Sequence, residues 1–197
     1  MNSFHNITPI ELIPSDVRLA TFPIGRRDLW KFYKLAQSCF WVPEDVDLSK
    51  DCADYDSHPK MTDGIRRSID YILAFFSNLD KMVNINITER FKKDFSIYEI
   101  DCFYDLQLAM ENIHGELYSL QLETLIRDPI KKAHLLNSVS TIPVIKKMSD
   151  WINLCVSSSA SSGERLIRMV CVEGLFFMSS FCIIYWLADR GLMRGLS

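Results

Sequence analysis

No Cys-x-x-Cys pair occurs in this chain: its six cysteines stand at 39, 52, 102, 155, 171 and 182. That spacing supports neither a zinc site nor a redox pair. In 197 residues it reads as reduced thiols in a cytoplasmic protein. Glycine and proline are scarce, seven of each, which argues against a turn-rich all-β design. Positive charge is not in excess. Twenty-two Lys and Arg against 25 Asp and Glu give a formal net charge of -3, so no basic field exists to hold nucleic acid. The basic doublets, among them Arg66-Arg67 and Lys131-Lys132, are scattered as solvated helix faces. The opening MNSFHNITPIEL has no basic stretch and no apolar run, so no secretory signal is expected. Neither a periodic repeat nor a strong alternating strand pattern is present.

What is present is helical periodicity. Residues 1–25 read as an extended arm broken by Pro9, Pro14 and Pro23, and 26–197 as one helical domain. Apolar spacing predicts a helix over 26–40, then a polar connection through VPEDVDLSKD. Thr62 or Asp63 can cap a helix running to about Asn86. The next runs from about Ile97 to Arg127, where Asp128-Pro129 stops it. Shorter helices fit 129–140 and 143–155, and SSSASSG at 157–163 is a flexible connection. A long helix over 164–190 ends with Gly191 just beyond it. The class is all-α.

Met169 to Ala188 carries a single charge, Glu173, and is flanked by Arg168 and Arg190. Twenty such residues are long enough to span a bilayer. An ionisable group inside such a run is either a heavy cost or a functional group, and the other helices favour the second.

On the helix around Glu111, a turn of 100° per residue gathers Asp105, Asn112, Glu116, Ser119 and Glu123 into a polar stripe. Glu111 and His114 lie off that stripe, on a face with Tyr104, Gln107, Tyr118 and Leu122. The rest of the circumference is largely apolar, so burial is expected. Asp80 shares a face with Ile69, Leu73, Phe76, Val83 and Ile87. Glu173 sits with Leu166, Met169, Phe176, Phe177, Ile184 and Leu187. Three helices thus aim carboxylates into apolar surroundings, with no basic residue on those faces. An unpaired buried carboxylate costs several kcal/mol, so a bound cation is the economical reading. Oxygen ligands with one imidazole suit iron or manganese. Glu111-x-x-His114 puts two ligands one turn apart, as in di-iron and di-manganese carboxylate bundles. Tyr118 follows one turn later, and Phe177 and Phe181 can wall it from water; a dry tyrosine beside an oxidising metal pair can hold a radical.

These residues resemble a known family. LAFFSNLDKMV (73–83), ERF (89–91), AMENIHGELYSL (109–120), VEGLFFMSSF (172–181) and RGLM (190–193) are similar to the small, radical-generating subunit of class I ribonucleotide reductase, in its eukaryotic and viral branch. FPIGRRDLW (22–30) and FWVPEDVDLSKD (40–51) match its N-terminal part, and the likeness runs from about residue 20 to the end. It implies a ferritin-like helical bundle with a di-iron site. Asp80, Glu111 and His114 would bind the first iron, Glu111 would bridge, and Glu173 would bind the second. Tyr118 would carry the radical, Phe177 and Phe181 would shield it, and Trp41 would begin the electron path from the His114 side. The partners implied are a second small subunit, as homodimer or heterodimer, and the large subunit, where ribonucleotides are reduced.

The resemblance also marks departures. NINI at 84–87 replaces the usual NENL, and Asp105-Leu106 replaces Gly-Phe. The family's second Glu-x-x-His follows RGLM, whereas this sequence ends RGLMRGLS. The expectation is a truncated or partial small subunit whose bundle is incomplete at its C-terminus. Two readings follow: part of an iron-dependent reductase, or a non-catalytic paralogue that acts as a dimerisation partner. A membrane anchor over 169–188 is the disfavoured third.

Overall fold

The computed structural model describes residues 18, 20–95, 97–156 and 160–197. Most of the proline-broken arm, and 157–159 of the serine-rich connection, lie outside the described residues. The described residues form ten helices and no strand: α1 Arg27–Ser38, α2 Ser49–Ser57, α3 Asp63–Asn86, α4 Lys92–Asp94, α5 Tyr98–Leu125, α6 Pro129–Leu136, α7 Ser138–Thr141, α8 Pro143–Val156, α9 Ser162–Cys171 and α10 Met178–Ala188. Wide π-helical turns, Ile87–Phe91 and Val172–Phe177, join α3 to α4 and α9 to α10.

The capping chemistry is local and legible. Thr62 Oγ1 accepts from the Ile65 amide at 3.3 Å, leaving fewer orphan donors in the first turn of α3. Asp128 caps α6 in the same way, through the Ile130 amide at 2.8 Å, and Pro129 opens that helix without wasting a donor. At the other end of the bundle Gly191 takes φ +73°. Its amide reaches the Ala188 carbonyl, and the Leu192 amide reaches Leu187. That pair of bonds closes α10 as a Schellman motif, which favours glycine at the left-handed position.

Helix α3 is the central element. Its apolar side, Ile69, Leu73, Phe76, Leu79, Val83 and Ile87, is almost completely removed from water. It packs along α5 on one side and against α6, α7 and α8 on the other, while α1 covers a further face of α5. The polar stripe predicted on α5 is exposed throughout: Asp105, Asn112, Glu116, Ser119 and Glu123. Of the rest of α5, Glu99, Leu117, Gln121, Leu122 and Leu125 are buried as expected, while most of the middle of the helix is only partly buried.

VPEDVDLSKD is not a plain connection. It holds a 3-10 turn at Pro43–Asp45 and the start of α2. Asp51 and Asp54 of α2 are buried, and they receive the amides of Gly195 and Met193 at 3.1 and 3.0 Å. Gln121 Nε2 holds the Gly195 carbonyl at 2.9 Å. The segment 192–197 is thereby strapped across α2 and α5. A Cβ on Gly195 would overlap the Asp51 carboxylate and press on Leu48. Gly195→Ala is therefore expected to cost about 1–3 kcal/mol through overpacking, read as a lower urea midpoint; an unchanged midpoint would refute this packing.

Ser162–Ala188 is long and apolar enough to cross a membrane by length and composition, with mean hydropathy 1.8 and 17% of the window buried. Leu166, Ile167, Val170, Leu175, Met178, Tyr185 and Trp186 are exposed on it. The predicted face is buried unevenly: Leu166 is 45% exposed although it lines a cavity with Met169 and Glu173, while Ile184 and Leu187 are buried. The wide turn adds one residue between the two halves and so shifts the phase of α10 relative to α9.

Candidate metal centre

Three elements bring the predicted ligands together. Asp80 comes from the C-terminal third of α3, Glu111 and His114 from successive turns of α5, and Glu173 from the wide turn before α10. Ligating atoms of Asp80, Glu111 and His114 all lie within 4.8 Å of one another. Glu173 stands outside that trio but lines the same cavity of about 540 Å³, with Trp41, Tyr118, Phe177 and Phe181.

The electrostatics of this cluster are unfavourable as it stands. Asp80 is 4% exposed, and its Oδ2 has no hydrogen-bond partner. Glu173 Oε1 is likewise buried and unpartnered. Burial, reinforced by the Glu111 and Glu173 carboxylates, pushes Asp80 up to about 9. Burial and then Glu111 push Glu173 up to about 7, with His114 opposing. Glu111 is the one carboxylate with local partners: His114 Nδ1 at 3.2 Å and the Gln107 amide at 3.4 Å. Three carboxylates and an imidazole crowded together, with buried Asp80 and Glu173 each keeping an orphaned oxygen and resisting ionisation, fit a divalent cation. Their donor atoms suit a hard or borderline ion such as iron or manganese.

The aromatic surroundings differ from the expected ones in a specific way. Trp41 stacks on His114, centroids 5.5 Å apart at 25°. The ring lying directly against Tyr118 is Phe76, at 4.8 Å. Phe177 and Phe181 reach Phe76 at 5.4 and 5.3 Å and line the cavity beside Tyr118. Phe76 is fully buried, one turn before Asp80 on the same face of α3. Helical spacing carried that signal, but the residue reads as ordinary core. Burial, and then Asp80, Glu111 and Glu173, raise the Tyr118 phenol above its usual range. The phenol is therefore held protonated. The strap residues Gly195, Leu196 and Ser197 complete the cavity on the side of Trp41 and Asp45, a contribution no local motif announces.

Comparison with known proteins agrees with this geometry. The family model for the ribonucleotide reductase small chain matches residues 18–197. The ribonucleoside-diphosphate reductase small chain of swinepox virus (strain Kasza) is 47% identical over 183 residues, covering 93% of this chain and 66% of the relative. That of monkeypox virus is 45% identical over 186 residues, covering 94% and 57%. The chain therefore spans between 57% and 66% of the length of these relatives. Among solved structures, the ribonucleotide reductase Rnr4 homodimer of Saccharomyces cerevisiae superposes with a TM-score of 0.79 at 29% identity, over 94% of this chain and 58% of that one. The dimanganese(II)-NrdF of Streptococcus sanguinis, at 17% identity and a TM-score of 0.76 over 92% of this chain and 62% of that one, shares the fold. The helical architecture is that of the reductase small subunits, and this chain belongs to the ribonucleotide reductase small-chain family.

Proposed function

We propose that this chain contributes the metal-binding and radical-storing half of a ribonucleoside-diphosphate reductase small subunit. The observation that carries the reading is the convergence of Asp80, Glu111 and His114 within 4.8 Å of one another, in a cavity shared with Tyr118. Those three residues would hold one ion; Glu173 would serve a second, with Glu111 between them. When bound, an iron pair would supply, with dioxygen, the power to oxidise a nearby phenol.

The chain's own residues prepare that phenol. Tyr118 enters the reaction protonated, so its oxidation gives up one electron and one proton and leaves a neutral radical. An apolar wall suits a neutral species, and Phe76, Phe177 and Phe181 provide one. His114 ties the site to Trp41 through ring stacking. Trp41 stands on the 3-10 turn side of the bundle, where it would carry an electron between the centre and a large subunit that reduces the nucleotide. Assembly as a homodimer, or with a longer small subunit, and a cytoplasmic setting belong to the same proposal. Glu173 lies beside Glu111 and His114, which raise and lower its pKa in opposition; that position supports the metal reading over a membrane anchor.

Anaerobic titration with Fe(II) or Mn(II) tests it. Glu111→Ala and His114→Ala are each expected to weaken binding by about tenfold or more, as loss of a metal-site partner does. Unchanged binding in both variants would overturn the assignment.

A further inference from the structure

Asp80 and Glu111 line two cavities, not one. The large one faces Trp41, Tyr118 and the phenylalanines. The other, of about 290 Å³, opens between α3 and α5. Its lining contains no aromatic or aliphatic side chain. Beyond the two ligands it is walled by Ser77, Lys81 and Asn84 of α3 and by Asn112, Gly115 and Glu116 of α5, with Ser119 below. We propose that this polar cleft is the route by which a divalent metal ion enters the centre. The proposal rests on the metal reading given above.

Three observations support it. A hydrated cation gives up water only in exchange for other oxygens. The cleft offers them in the Asn84, Asn112 and Glu116 side chains with no apolar side chain between, while the surface of the large cavity is mostly apolar despite its carboxylates. Asn84 Oδ1 is buried without a hydrogen-bond partner, although its amide group donates to Asn112 Oδ1 at 3.3 Å. The route ends on Asp80 Oδ2, equally unpartnered in a side chain 4% exposed. Second, the carboxylates of Glu116, Asp80 and Glu111 outnumber the single Lys81 ammonium, so the local field draws cations inward. Third, Gly115 leaves the wall open: a Cβ there would meet nothing within 4 Å. A side chain can therefore be placed in the cleft without disturbing the backbone.

That opening supplies the experiment. Co(II) uptake by the metal-free chain is followed by anaerobic stopped-flow absorption, with equilibrium dialysis alongside. Gly115→Leu is expected to slow uptake by about tenfold or more. Release should slow equally, because a blocked path alters both directions and leaves the dissociation constant within roughly twofold. Glu116→Gln should slow uptake and flatten its salt dependence. Val46→Trp, which narrows the large cavity instead, should leave the rate unchanged. An unchanged rate in Gly115→Leu overturns the proposal, as does slowing by Val46→Trp alone. Slowing matched by an equal loss of affinity also overturns it, because that pattern means a distorted site. If the wild-type chain shows no Co(II) binding that Glu111→Ala removes, the metal reading itself fails and the route with it.

Discussion

Metal-free protein is expected to lose stability steadily as pH rises from about 4 to about 9, and Asp80→Asn to remove most of that loss. In the folded chain the Asp80 carboxyl is pushed up to about 9 by burial, then by Glu111 and Glu173. Unfolded, it returns to about 3.9. Between those values the folded state holds a proton that the unfolded state has released, so raising the pH favours unfolding. The contribution is fully present below about 4 and gone above about 9. Its slope approaches about 1.4 kcal/mol per pH unit for one group, which amounts to several kcal/mol over the window. Glu173, pushed up to about 7, adds to the slope in the lower half. Urea unfolding in chelator at pH 5, 7 and 9 reads the effect directly. A flat wild-type profile, or the same slope in Asp80→Asn, would contradict it. Saturating metal should reverse the trend, because the ion binds the deprotonated carboxylates and stabilises the fold that presents them.

Phe76→Ala should cost about 3–5 kcal/mol, the range for truncating a fully buried aromatic ring. Phe76 has no exposed surface and touches Phe75, Tyr118, Phe177 and Phe181. Its removal leaves a hole where four rings meet, and those rings come from α3, α5, the α9–α10 turn and α10. Phe181→Ala, at a half-buried position, should cost clearly less. Chemical denaturation of both variants at one pH gives the comparison. Equal losses would mean that Phe76 holds this cluster together no more than Phe181 does.

Where helical arithmetic applies, the fold and the site can be read directly from the residues. Thr62 caps α3, Asp128-Pro129 separates α5 from α6, and Gly191 ends α10, because each acts on its own backbone neighbours. Asp80, Glu111 and His114 converge because each sits off the polar face of a regular helix. Three features resist such reading, each for a physical reason. The wide turn at Val172–Phe177 changes the period, so the 3.6-residue spacing does not carry one face unbroken from α9 into α10. Phe76 looks like any core phenylalanine until its neighbours are known. Asp51 and Asp54 look like loop acids, because the amides that make them buried acceptors belong to Met193 and Gly195.

Those two bonds join residues 139 and 144 positions apart, which sets an order of events in synthesis. Local helices can form as they emerge, whereas a contact of this span waits for its distant partner and bears the entropy of closing a loop through most of the chain. At about 5–20 residues per second, α2 leaves the ribosome roughly 7–30 s before the strap exists. Throughout that interval Asp51 and Asp54 lack the amides they will later bury against, although Tyr55 of α2 can already reach Asp70 of α3. The helix that emerges early thus meets α3 first and the amides of the strap last.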